Sequence, residues 1–124
     1  MKRTDSKLID SSVWLAYLFN GSYADTIDSD EILLLPVLSL FEIKRKLGKS
    51  NYENSKITKC MDFIRKRSLL VPVSEEIADN AANFSLEKNL SIVDSIIYTT
   101  AMLNDSMLLT LDNDFRGLRN VVLM

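Results

Sequence analysis

Short apolar runs alternate along this chain with longer segments in which apolar residues recur every three or four positions. The apolar runs cover residues 7–9, 31–35, 69–73, 107–110 and 121–123, and they have the length of strands. The longer segments predict helices over residues 13–19, 36–48, 53–67, 74–89 and 91–103. Strands that alternate with helices predict an α/β fold, in which helices cover both faces of a parallel sheet.

Apolar residues recur at helical spacing in two of the predicted helices. Pro36 suits the first turn of its helix, and Pro72 marks an edge strand or the end of a strand. The recurring apolar residues of the first of these helices are Val37, Leu40, Phe41 and Leu47. In the next helix, Ile57, Met61 and Ile64 are predicted to face inward.

The composition predicts the number of domains and the cellular compartment. The 124 residues are 47% hydrophobic and 26% charged, which is typical of a globular protein, and they predict a single domain over residues 1–124. The basic residues near the N-terminus are not followed by an apolar segment, so we expect no secretory signal. The single thiol, Cys60, suits a reducing cytoplasm, and we expect a cytoplasmic protein.

The net charge of −2 argues against a generally basic nucleic-acid binder, but the basic residues are unevenly distributed. Nine of the 15 lie between positions 44 and 67, namely Lys44, Arg45, Lys46, Lys49, Lys56, Lys59, Arg65, Lys66 and Arg67. This cluster has two interpretations: a patch that contacts phosphates, or a solvated helical face. If the patch binds RNA, Lys44, Arg45, Lys46 and Lys49 are the candidate contacts.

The chain contains no histidine, which excludes several kinds of catalytic site. It cannot build a Ser-His-Asp triad, a zinc site of the H-E-x-x-H type or a pair of catalytic imidazoles. Cys60 has no histidine partner for thiol catalysis and no second cysteine for zinc or a disulfide. Any catalysis therefore depends on carboxylates, with Mg²⁺ or Mn²⁺ as the expected cation.

Four carboxylates, Asp10, Glu42, Asp94 and Asp112, each lie at the end of an apolar run. Asp10 and Asp112 follow predicted strands, and ligand sites of open parallel sheets gather outside the carboxyl ends of strands. Four carboxylates close together would repel one another unless divalent cations neutralised them, which favours metal binding.

Each acid also has a structural interpretation. Asp10 could cap the end of a strand, and Glu42 could pair with Lys46 one helical turn away. Asp94 follows Ser91 by three positions, as in a capping box. Asp112 and Asp114 stand in a turn, where aspartate is common because of local hydrogen bonding.

Four segments in order resemble the signatures of PIN-domain ribonucleases, and within that family the VapC-like toxins of toxin–antitoxin pairs. The segments are residues 8–14, 39–43, 92–97 and 109–115. The resemblance implies a three-layer α/β/α sandwich and Mg²⁺- or Mn²⁺-dependent cleavage of single-stranded RNA. It also implies roles for particular residues: Asp10, Glu42, Asp94 and Asp112 as the catalytic, metal-binding quartet, Asp114 as an auxiliary ligand, and Ser11 and Thr110 as supporting hydroxyls.

The mechanism and partners follow as further expectations. Attack by water would leave 5′-phosphate and 3′-hydroxyl ends, and Tyr98 or Trp14 could stack on a base, although Trp14 also suits the core. We expect a small antitoxin that inserts an Arg or Lys among the acids, and a homodimer. The alternatives are a non-catalytic PIN-fold module that binds RNA or protein, and a housekeeping RNA-processing nuclease. A phosphatase-like or receiver-like domain is disfavoured, because the acids that it needs are missing.

Overall fold

The computed structural model describes residues 6–124 and contains a five-stranded sheet with helices on both faces. The strands are β1 (Lys7–Ile9), β2 (Leu33–Pro36), β3 (Ser68–Val71), β4 (Met107–Thr110) and β5 (Val121–Leu123). The helices are α1 (Ser11–Asn20), α2 (Ala24–Ile27), α3 (Val37–Lys49), α4 (Asn54–Arg67), α5 (Glu75–Lys88) and α6 (Ile92–Leu103), and a short 3₁₀ helix covers Asn113–Phe115. Every pair of neighbouring strands is parallel, so the predicted parallel sheet is confirmed.

The strand order, β3-β2-β1-β4-β5, places a change of direction in the middle of the sheet. From β1 the chain builds outward through β2 to β3, and it then crosses back to add β4 on the other side of β1. Ile9 of β1 pairs with Leu109 of β4, and the next amide, Asp10 N, donates to Leu109 O at 3.0 Å. Ligands of open parallel sheets bind where the strand order reverses, outside the carboxyl ends of the strands.

Side chains that alternate along the strands form two apolar clusters, one on each face of the sheet. Ile9 and Leu109 are buried in the first cluster, together with residues of α1, α3 and α4. Leu8 and Leu108 are buried in the second, together with residues of α6. The sheet is therefore the middle layer of three, which confirms the predicted α/β/α sandwich.

Only some of the recurring apolar residues of α3 are buried. Ser39, Ile43 and Leu47 are buried, whereas Val37 is 42% exposed and Phe41 is 68% exposed. Pro36 ends β2, and α3 begins at the next residue without a loop, so the strand fixes the rotation of the helix. The apolar pattern alone did not indicate this constraint.

The other differences are smaller. β3 begins one residue earlier than predicted and ends directly before Pro72; it is an edge strand, in agreement with the prediction from that proline. α2 was not predicted, because four residues are too few to show a helical period. Within residues 6–124, no helix is long and apolar enough to cross a membrane.

Candidate functional site

Asp10 follows β1 directly, and its carboxylate is held by two hydroxyl groups. The side chain is 5% exposed, and Oδ2 accepts hydrogen bonds from Thr110 Oγ1 at 2.8 Å and from Ser12 Oγ at 2.7 Å. Ser12 Oγ accepts from the amide of Leu111 at 3.0 Å, and Thr110 Oγ1 accepts from the amide of Asp112 at 3.0 Å. Because a buried carboxylate needs donors, these bonds fix Asp10 and join the ends of β1 and β4.

The predictions named Thr110 as a supporting hydroxyl but did not name Ser12. Ser12 lies in the first turn of α1. Its contact with residue 111 spans almost the whole chain, so no local signal could have identified it. Ser11, which was predicted, lies near Glu42 instead.

Glu42 projects from α3 toward the same end of the sheet. Its Oε1 atom is buried and has no hydrogen-bond partner among the described residues. Burial raises the pKa of the Glu42 carboxyl above its ordinary value, and the charges of Asp10, Asp94 and Asp112 raise it further, while the Ser11 hydroxyl opposes this rise. A buried carboxylate oxygen without a hydrogen-bond donor destabilises the folded state unless a positive group lies near it.

Asp94, Asp112 and Asp114 form the tightest part of the cluster. One carboxylate oxygen from each lies within 4.8 Å of the other two. Burial, followed by the charge of Asp112, raises the pKa of Asp94 from its ordinary value of 3.8 to about 6, while Ser91 opposes the rise. Asp112 Oδ1 also accepts from the amide of Asp114 at 2.9 Å, as the turn interpretation of this segment predicted.

The capping interpretation of Asp94 is compatible with a role in the cluster. Ser91 caps α6 by accepting a hydrogen bond at 3.1 Å from the backbone amide of Asp94. This bond uses the amide of Asp94, and the carboxylate remains close to those of Asp112 and Asp114. The predicted ion pair between Glu42 and Lys46 is not among the salt bridges that the described residues form.

The basic cluster of the sequence is divided in the fold. Arg67 donates to three backbone carbonyls and is therefore not free to contact a phosphate, whereas Arg65 forms an exposed ion pair with Asp62 at 3.5 Å. Arg45 and Lys46 line a cleft that also contains Glu42, whereas Lys44 and Lys49 do not line it.

The two aromatic candidates for base stacking lie in the core. Trp14 is 0% exposed and Tyr98 is 2% exposed, and the Tyr98 hydroxyl donates to Arg119 O at 3.1 Å. The expectation that one of them stacks on a base is therefore wrong. Tyr98 packs edge-to-face on Phe84, a contact between α5 and α6 that the sequence did not indicate.

Comparison with known proteins agrees with this fold. The family model described as "PIN domain" matches residues 7–120, and no curated protein matches the chain significantly. Three solved structures illustrate the likeness. A chain of a toxin–antitoxin complex from Klebsiella pneumoniae is 22% identical, with a TM-score of 0.74 and coverage of 94% of this chain and 95% of that chain.

The other two are less similar in sequence. A chain of VapBC2 from Rickettsia felis, bound to a promoter DNA fragment, is 13% identical, with a TM-score of 0.78 over 94% of this chain and 96% of that one. VapC20 from Mycobacterium tuberculosis, described as a sarcin–ricin loop cleaving toxin, is 16% identical, with a TM-score of 0.72 over 94% and 97%. The predicted resemblance is confirmed by the family match over residues 7–120: the chain belongs to the PIN-domain family.

Proposed function

We propose that this protein is a Mg²⁺- or Mn²⁺-dependent endoribonuclease and the toxin of a toxin–antitoxin pair. The observation that carries the proposal is the gathering of acids where the strand order reverses. Asp10, Glu42, Asp94, Asp112 and Asp114 come from distant parts of the sequence, and the pKa of Glu42 and that of Asp94 respond to the charges of the other acids. Like charges are rarely brought together in a fold without a cation to offset them.

The donor set fits a hard divalent cation. All five candidate ligands offer carboxylate oxygens, which Mg²⁺ and Mn²⁺ prefer. Asp94, Asp112 and Asp114 are close enough to share one ion, and the unpartnered Oε1 of Glu42 is a further available ligand atom. A divalent cation here would offset the carboxylate and phosphate charges and acidify a water molecule, so that hydrolysis can proceed near neutral pH.

The hydroxyl groups of the chain would keep this site in place. Ser12 and Thr110 hold Asp10 Oδ2, so this carboxylate presents its other oxygen in a fixed direction. Because water rather than the 2′-hydroxyl would attack, the products should carry 5′-phosphate and 3′-hydroxyl ends. An RNA substrate is also in keeping with the description of VapC20, a protein of the same fold, as a toxin that cleaves the sarcin–ricin loop.

The proposed partners are a small antitoxin and a second copy of the chain. Two of the similar structures, from Klebsiella pneumoniae and Rickettsia felis, are toxin–antitoxin complexes. An arginine of the antitoxin placed among the acids would block the site, because its planar guanidinium binds carboxylates in a bidentate manner. We further propose a cytoplasmic location, in which RNA is accessible.

Substitution of single acids tests the proposed activity. Asp10→Asn and Asp94→Asn should each abolish cleavage of single-stranded RNA and weaken Mn²⁺ binding measured by calorimetry. Asp79→Asn, an exposed acid of α5 outside the cluster, is the matched control and should cleave at the wild-type rate. Wild-type activity should stop with EDTA and return with Mg²⁺ or Mn²⁺.

Three results would contradict the proposal. If Asp94→Asn cleaves RNA as fast as the wild type, Asp94 acts only at the helix terminus. If the products carry 2′,3′-cyclic phosphate, the 2′-hydroxyl attacks, and hydrolysis by water is wrong. Binding of Mn²⁺ without any cleavage would indicate a non-catalytic module.

A further inference from the structure

A cleft of about 500 Å³ opens beside the acidic cluster, between α1, α3 and α6. Ser11, Ser12 and Glu42 line it, and two of these residues also belong to the acidic site: Ser12 donates to Asp10, and the pKa of Glu42 responds to the charges of three aspartates. The cleft is therefore continuous with the acidic site. A ligand in the cleft would lie next to the atoms that are proposed to hold the cation.

One wall of the cleft is apolar and includes an exposed aromatic ring. Leu15, Leu38 and Val93 line it together with Phe41, whose side chain is 68% exposed. Phe41 is the most exposed of the aromatic residues among the large exposed hydrophobic side chains of the described chain. A nucleobase fits such a surface, because every base has a flat face that stacks on an aromatic ring regardless of sequence.

The other notable feature of the cleft is its pair of cations. Arg45 and Lys46 line it one helical turn after Phe41 and Glu42, so the two cations lie next to the aromatic ring and the carboxylate along α3. Neither cation takes part in the ion pairs that the described residues form. Two unpaired cations beside an acidic cluster match a phosphodiester chain that must approach carboxylates.

We propose that this cleft holds one unstacked nucleotide of single-stranded RNA next to the scissile phosphate. The base stacks on Phe41, and Arg45 and Lys46 contact the adjacent phosphate. A basic peptide segment fits the cleft itself less well, since Arg45 and Lys46 would repel it. The antitoxin arginine proposed above concerns the acids and not this cleft. This inference rests on the proposed ribonuclease function, and it narrows the four candidate RNA contacts of the sequence to two.

The test measures RNA binding and RNA cleavage separately. Binding of fluorescein-labelled, randomised single-stranded RNA is followed by anisotropy in EDTA, on an Asp94→Asn background that removes one repelling charge. Phe41→Ala should weaken binding roughly tenfold without changing its salt dependence. Arg45→Ala/Lys46→Ala should weaken it and reduce the slope of log affinity against log salt by about one. Lys44→Ala/Lys49→Ala is the matched control, with equal charge removed from the same helix, and should change binding less than twofold.

Cleavage by the same substitutions in the otherwise unmodified protein should show a raised KM with a smaller change in kcat. The inference is overturned if the control pair weakens binding as much as Arg45→Ala/Lys46→Ala, or if Phe41→Ala binds and cleaves RNA like the wild type. It is also overturned if Phe41→Ala alters only association with a co-expressed protein, because the cleft is then a protein-docking groove. If RNA binds in the cleft but is not cleaved, only the proposed ribonuclease function is contradicted. If RNA is cleaved but these substitutions have no effect, only the proposed role of the cleft is contradicted.

Discussion

At the scale of single residues, the acidic site includes two groups, Glu42 and Asp94, whose environments oppose their ionisation. Asp94 and Glu42 are partly buried, and each lies near several other carboxylates, so the pKa of each is raised. Asp10 is buried more deeply, but two hydroxyl donors compensate its carboxylate. Without a cation, the deprotonated site should therefore reduce the free energy of unfolding.

The stability of the metal-free protein should depend on pH through Asp94. Between its ordinary pKa of 3.8 and its folded-state pKa of about 6, the native state binds more protons than the unfolded state. The free energy of unfolding should therefore fall as pH rises through this window. Asp94→Asn should match the wild type near pH 4 and unfold at a higher temperature near pH 7, in thermal unfolding measured in EDTA.

Asp79→Asn is again the control, and it should not show this pH-dependent difference. Added Mn²⁺ should raise the unfolding temperature of the wild type more than that of Asp94→Asn, because the ion binds the native state. If the unfolding temperatures of Asp94→Asn and the wild type differ by the same amount near pH 4 and near pH 7, the pKa of Asp94 is not raised.

At the scale of elements, one arginine ties a helix end to a loop. Arg67, at the end of α4, donates from Nε to Ile27 O at 2.6 Å and from Nη2 to Ser29 O at 2.8 Å and Glu31 O at 3.0 Å. These carbonyls lie at the end of α2 and in the connection to β2. Since β2 continues directly into α3, Arg67 helps to fix the segment that precedes Glu42.

Arg67→Ala should lower the free energy of unfolding by about 2–4 kcal/mol, because it leaves three carbonyls without their charged donor. Arg65→Ala is the matched control: its exposed pair with Asp62 should contribute less than about 1 kcal/mol. Urea unfolding of both variants at one pH measures the difference. Equal midpoints for the two variants would mean that the bonds of Arg67 contribute no more than a surface ion pair.

At the scale of the whole molecule, several apolar side chains remain exposed. Leu86 is 86% exposed and Ile92 is 78% exposed, and both line a groove between α5 and α6. The sequence prediction of a homodimer rested instead on the helices that contain residues 37–47 and 57–64. In α3, the exposure of Val37 is in keeping with that expectation, which stays a prediction.

Light scattering over a range of concentrations tests the homodimer, and a monomer at every concentration would refute it. Co-expression with the neighbouring open reading frame tests the antitoxin. The antitoxin should co-purify with this chain and restore the growth of the cells. Expression of this chain alone should arrest growth, and Asp94→Asn should not. Failure to co-purify, combined with normal growth on expression of the chain alone, would favour a housekeeping nuclease.

The sequence by itself determined the fold class and the kind of chemistry. Short apolar runs between helical segments specify a parallel α/β/α arrangement, because each element must bury its apolar face. The absence of histidine and the acids after β1 and β4 indicate carboxylate chemistry at one edge of the sheet. These properties depend on local pattern and residue type, so they can be read without coordinates.

Only the tertiary structure decided how the site is built. The bond from Ser12 to the amide of Leu111, the rotation of α3 that exposes Phe41, and the division of the basic residues all depend on contacts between distant segments. The basic residues between positions 44 and 67 cannot be told apart by sequence pattern. In the structure, however, Arg67 donates hydrogen bonds to backbone carbonyls, whereas Arg45 and Lys46 line the cleft. Their separation depends on which side of each helix packs on the sheet, and that is fixed by the connections and the strand order.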